Sequence, residues 1–135
     1  MIVLQYLAAL VLLGHGIGHL TGFLKSWTSI EVGFSDKPWL LPGEHKMDSA
    51  AGRAFGILWL ICILIFVMSS IGIFMGEEWW RAYALIGSAV SLVAILPWWN
   101  TVMLGVKAGA LLDVAIILVL LIPAGERVTD FFELP

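Results

Sequence analysis

Two histidines one helical turn apart, His15 and His19, and one carboxylate deep in an apolar run, Asp113, are the residues of this chain best suited to chemistry. On a helix, residues four apart leave the same face, so both imidazoles point one way. Such a pair can chelate a metal ion, since two imidazoles on adjacent turns converge about 2 Å from a common point. Gly16 stands where an HExxH motif places its glutamate, so the pattern is not that of a zinc hydrolase. Nor can two histidines on one face sandwich a single haem from both sides. A haem would need a further ligand, such as His45 or a methionine.

The elements that must position these groups are apolar. The chain has 135 residues, 61% of them hydrophobic and 13% charged, with a mean hydropathy of +1.00. A soluble domain of this size buries only about two thirds of its unfolded surface and would leave large apolar patches in water. A membrane protein is expected, in the cell membrane and multi-pass, with the lipid bilayer as its first partner. The net charge is -3 without a basic run, which argues against nucleic acid. Cys62 is the only cysteine, so an internal disulfide, a dithiol relay or a cysteine-rich metal site is excluded.

Four apolar segments, 2–24, 54–75, 82–99 and 102–122, each approach the length of about 20 residues that crosses a bilayer as a helix. The first has no basic residue before it and contains glycines and histidines, so it reads as a retained span, not a signal peptide. Trp79 and Trp80 at one end of the third segment and Trp98 and Trp99 at the other stand 19 residues apart, about 28 Å on a helix. Short links make neighbours antiparallel. The expected fold is therefore all-α, a single-domain, antiparallel four-helix membrane bundle with an interfacial loop over 25–53. Asp48 or Ser49 suits the N-cap of the second helix. After residue 122, Phe131 and Phe132 predict a short interfacial segment.

The first and third loops and their borders hold Lys25, Lys37, Lys46, Arg53 and Lys107, against Arg81 and Arg127 on the other side. The positive-inside rule then places the first loop in the cytoplasm and both termini outside.

Gly14, Gly18 and Gly22 form a small-residue stripe that predicts a close helix neighbour, and Gly105 and Gly109 continue to Asp113 in the same way. Measured from the first-loop side, His15 lies at about 13 Å depth and Asp113 at about 16 Å. Ser88 and Ser91 fall at about 16 and 12 Å, and His19 and Lys107 at about 8 Å each. One layer could thus join His15, Asp113, Ser88 and Ser91. Glu44, His45, Asp48 and Arg53 would border its mouth, the first three as a lid and Arg53 as an anion or lipid-phosphate ligand. The competing reading of the same residues is interhelical hydrogen bonding that only fixes register. For Lys107 it is snorkelling to the interface.

HGIGHLTGF in the first span, GRAFGILWLICIL opening the second and a short WWN link before the fourth resemble a group of small four-span bacterial and archaeal membrane proteins, distantly DoxX-like. The most specific part is the HGxxHLxGF pattern. DoxX-like proteins include a subunit of a thiosulfate:quinone oxidoreductase and a partner in oxidative-stress complexes. The resemblance implies a redox-linked accessory protein, with an amide common where Asp113 stands. Three functions are expected on these grounds. The first is a binding or accessory protein for a small ligand, metal ion or quinone-like cofactor, as a homo-oligomer or in a membrane redox complex. The second is an enzyme with His15 as acid or base, oriented by Asp113. The third is a small proton-coupled transporter.

Overall fold

The computed structural model describes residues 2–122, and among these it is all-helical. The helices are α1 (Ile2–Gly18), α2 (Leu20–Trp27), α3 (Ala50–Met75), α4 (Trp80–Ile95) and α5 (Leu104–Leu121), with one 3-10 turn, Leu96–Trp98, after α4. α1 and α2 are a single run broken only at His19. Four stretches are long and apolar enough to cross a membrane: Val3–Trp27, Ala50–Met75, Trp80–Trp98 and Leu104–Leu121. They match the four expected segments. The tail with Phe131 and Phe132 lies outside the described residues.

The boundaries have local causes. α3 begins at Ala50, earlier than expected, because the Ser49 hydroxyl accepts the Gly52 N–H at 3.2 Å. It ends at Gly76, whose φ of +69° is the left-handed cap that glycine accepts without strain. Pro97 sits within the 3-10 turn, where its missing N–H interrupts no long ladder.

The polar loop is held down, not loose. Leu40 N–H donates to the Pro97 carbonyl at 2.8 Å, Asn100 Nδ2 to the Pro38 carbonyl at 2.7 Å, and Ser35 N–H to the Thr101 carbonyl at 2.9 Å. These bonds tie the loop across the link between α4 and α5. At its start Lys25 Nζ reaches Asp36 at 2.9 Å, and this ammonium holds the Asp36 carboxyl below the usual carboxylate range.

The helices pack in a row, α1 and α2 on α3, α3 on α4, and α4 on α5, while α1 and α5 scarcely touch. Hydroxyls pin the row: Ser70 Oγ donates to the Ala9 carbonyl at 2.8 Å and Ser69 Oγ to the Trp80 carbonyl at 2.9 Å. Here one expectation is corrected. Gly14, Gly18 and Gly105 do not bring a helix close, because a Cβ at any of them would meet nothing within 4 Å. The close approaches are at Gly22, where a Cβ would lie 1.9 Å from the Trp59 ring, and at Gly16, where it would lie 2.8 Å from Phe66 Cβ.

The reason is the helical period. The buried row of the first span is Gln5, Ala9, Leu12, Gly16, His19, Gly22 and Ser26, whose mixed steps of three and four follow 3.6 residues per turn. A strict four-residue stripe drifts off that face. Gly14 and Gly18 therefore open onto the seam between α1 and α5.

Substitution by alanine should separate these positions. Gly22→Ala overpacks against Trp59 and should cost about 1–3 kcal/mol, read as a lower midpoint in thermal unfolding of the detergent-solubilised protein. Gly14→Ala should leave the midpoint unchanged or raise it. The reverse ranking would contradict the packing.

Candidate functional site

The site begins with a fault in the backbone ladder. His19 N–H reaches Gly16 O at 3.0 Å, three residues back where a regular helix bonds four back. Gly22 N–H does the same toward His19 O at 3.1 Å. The His19 side chain folds back on the same turn, with Nδ1 2.9 Å from the His15 carbonyl oxygen. A carbonyl oxygen only accepts, so Nδ1 of His19 carries a proton and Nε2 points into the bundle. The tight turn is built where Gly16 and Gly18 flank the break.

From Nε2 the polar contacts run on without a gap. His19 Nε2 lies 2.8 Å from Ser91 Oγ on α4, Ser91 Oγ 2.5 Å from Asp113 Oδ2 on α5, and Asp113 Oδ1 2.8 Å from His15 Nε2 on α1. Through the His15 carbonyl the circuit closes on itself. It joins three of the four apolar stretches, and the carboxylate at its centre is 0% exposed. Both Asp113 oxygens are paired, as a buried carboxyl group requires.

α3 supplies the aromatic wall. Phe66 stands edge-on to His15, with centroids 4.6 Å apart, and Trp59 lies 5.5 Å from His19. Sequence reasoning passed over both. Their signal is the spacing of Trp59, Cys62 and Phe66, steps of three and four on one helix face.

The unpacked seam between α1 and α5 encloses a cavity of about 280 Å³ on one side of this circuit. Gly14 and Gly18 face Gly105 and Gly109 across it, and His15 and His19 are in its wall. Gly109 comes nearest to the circuit, for a Cβ there would stand 3.3 Å from His15 Nδ1. That nitrogen makes no hydrogen bond among the described residues. A second, wholly apolar cavity of about 270 Å³ lies between Val11 and Leu12 on one side and Leu112 and Ile116 on the other. His15 and Asp113 thus bridge a seam that is open to both sides of them.

The remaining expected site residues fall elsewhere. Ser88 is buried but its hydroxyl makes no hydrogen bond among the described residues, so it does not join the layer with Ser91. Lys107 directs Nζ to the Trp99 ring, 5.4 Å from its centroid, toward the loop end. The four loop residues form no lid, since none of them lines the cavity. Glu44 and Asp48 are exposed, the exposed His45 packs edge-on against Trp39, and Arg53 lies 5.9 Å over Trp27. The loop instead closes on its own aromatics.

One nitrogen from each of His15 and His19 and one oxygen of Asp113 lie within 4.8 Å of one another, a set that could hold a metal ion. Binding one would cost the His15–Asp113 and His19–Ser91 hydrogen bonds together.

The circuit makes a specific prediction for Asp113. An asparagine can accept from His15 and donate to Ser91, so Asp113→Asn should keep the thermal midpoint close to wild type. Asp113→Ala strands both partners and should cost about 1–3 kcal/mol for each buried polar group left unpaired. Equal losses in the two variants would show that the polar contacts are not what the position supplies. Compared with known proteins, the chain matches no family model, no curated protein and no solved structure, so the site is read from its own geometry.

Proposed function

We propose that this chain is an integral protein of the cell membrane, an antiparallel four-span bundle that binds a small organic molecule between its first and last spans. Its outward faces support the membrane setting: Leu4, Leu64, Val93, Leu111 and Leu118 are all more than half exposed, an arrangement that lipid favours and water does not. The short links 76–79 and 99–103 support the antiparallel order. The basic residues of the first and third loops and their borders support a cytoplasmic first loop.

The single observation that carries the binding reading is the cavity in the α1/α5 seam. Its walls are mostly glycine and apolar side chain, and its polar wall is made by His15, His19 and Thr21. Ligand sites are typically apolar concavities with few fixed polar groups. A volume of about 280 Å³ accommodates a substituted ring, given that a cavity of about 150 Å³ can hold benzene. The unpacked seam lets such a molecule arrive sideways from lipid. The resemblance to DoxX-like proteins supports a redox-linked accessory role for the bound molecule.

A second reading, acid or base catalysis by His15, is favoured by one contact. Asp113 orients its ring at 2.8 Å while the other ring nitrogen lies beside Gly109 in the cavity wall.

Binding is tested on the protein in lipid nanodiscs by equilibrium dialysis with three probes: 4-propylphenol, its methyl ether 4-propylanisole, and tetramethylbenzoquinone. At least one should bind saturably to wild type, and Gly14→Leu and Gly105→Leu, which fill the cavity from open positions, should abolish that binding while the bundle stays folded. Absence of saturable binding by all three, or binding that survives both variants, would overturn the reading.

A further inference from the structure

The hydrogen-bond circuit determines which kind of molecule the cavity takes. We infer that His15 Nδ1 presents an unprotonated lone pair to the cavity, and that the ligand is a hydroxyl donor, a phenol- or alcohol-type group on an apolar body. The inference deepens the binding reading and rests on it for the ligand, though not for the proton count.

Each hydrogen bond needs one proton between its two atoms. His19 Nδ1 spends its proton on the His15 carbonyl, 2.9 Å away. Ser91 Oγ has a single proton but two partners, His19 Nε2 at 2.8 Å and Asp113 Oδ2 at 2.5 Å. If Ser91 donates to Asp113, His19 must donate through Nε2 and is an imidazolium beside a carboxylate. If Ser91 donates to His19, Asp113 must donate through Oδ2 as the acid. In both arrangements Asp113 Oδ1 accepts from His15 Nε2–H, and the circuit is electrically neutral. All three bonds are made with His15 Nδ1 bare.

A proton on His15 Nδ1 would give the circuit a net positive charge with no counter-ion among its members. Asp113 has no oxygen left to offer, and no carboxylate is among the residues that line the cavity. Lys107, the nearest cation in sequence on α5, is turned to Trp99. Cys62, the buried thiol of α3, brings no charge in its thiol form. An uncompensated charge among apolar groups is costly. The neutral circuit therefore prevails, and the cavity wall offers an acceptor.

The chemistry of the ligand follows by complementarity. A hydroxyl directed at Nδ1 makes a hydrogen bond there, whereas an ether, ester or quinone carbonyl meets lone pair with lone pair. The rest of the molecule lies along Gly14, Gly18 and Gly105, which leave room for a ring. Of the quinone-like molecules expected from sequence, only the reduced, hydroxylated form has the required donor.

Two measurements test this. In ¹⁵N NMR of histidine-labelled His45→Gln protein in lipid, His15 should be protonated at Nε2 and bare at Nδ1, while His19 carries a proton at Nδ1. A proton at His15 Nδ1 would overturn the inference without touching the cavity. In dialysis, 4-propylphenol should bind about tenfold more tightly than 4-propylanisole, and the preference should vanish in His15→Phe. Equal binding of phenol and ether, or tighter binding of tetramethylbenzoquinone, would overturn the donor assignment while leaving ligand binding in place. No binding by any probe would remove both.

Discussion

Asp113 is a carboxyl group with no solvent around it, and the bundle is arranged so that both of its oxygens have partners. Those partners come from two other helices, Ser91 on α4 and His15 on α1. The second contact matters most, because α1 and α5 are otherwise hardly packed. One side-chain pair spans a seam that helix packing leaves open. Removing a partner from a buried pair leaves a stranded polar group, which is why such a contact can hold two elements in register.

The same demand explains the irregular backbone at His19. At the tightened turn the His15 carbonyl lies 2.9 Å from Nδ1 of the His19 ring, which sets both the rotation of the imidazole and the nitrogen that carries its proton. Ser91 then meets a nitrogen held in a fixed place. Phe66 and Trp59 close the remaining side and keep the rings from swinging away.

Much of this was legible in the sequence, and the part that was not has a physical cause. Helical rise is regular, so counting residues from the loop placed His15 and Asp113 at similar depth, and the structure brings them to hydrogen-bonding distance. Depth does not encode rotation. Ser88 and Ser91 both fell in that layer, yet only Ser91 meets the circuit. His19 was counted nearer the loop than Ser91 because counting fixes backbone depth, whereas the imidazole reaches back to Ser91 Oγ at 2.8 Å. The glycines misled in part for a related reason: their four-residue spacing drifts from the 3.6-residue period, so Gly14 and Gly18 line a cavity where a helix contact was expected, while Gly22 makes one with Trp59. The loop residues were grouped as a lid by proximity in sequence, whereas Trp39 and Trp27 engage His45 and Arg53.

The central claim is that the His15–Asp113 contact couples the first and last helices of the bundle. A double-mutant cycle on thermal stability, with His15→Ala, Asp113→Ala and the pair, measures that coupling without reference to any ligand. The predicted result is a coupling of about 0.5–3 kcal/mol, with the double variant little worse than either single one. Strict additivity of the two losses would contradict the account.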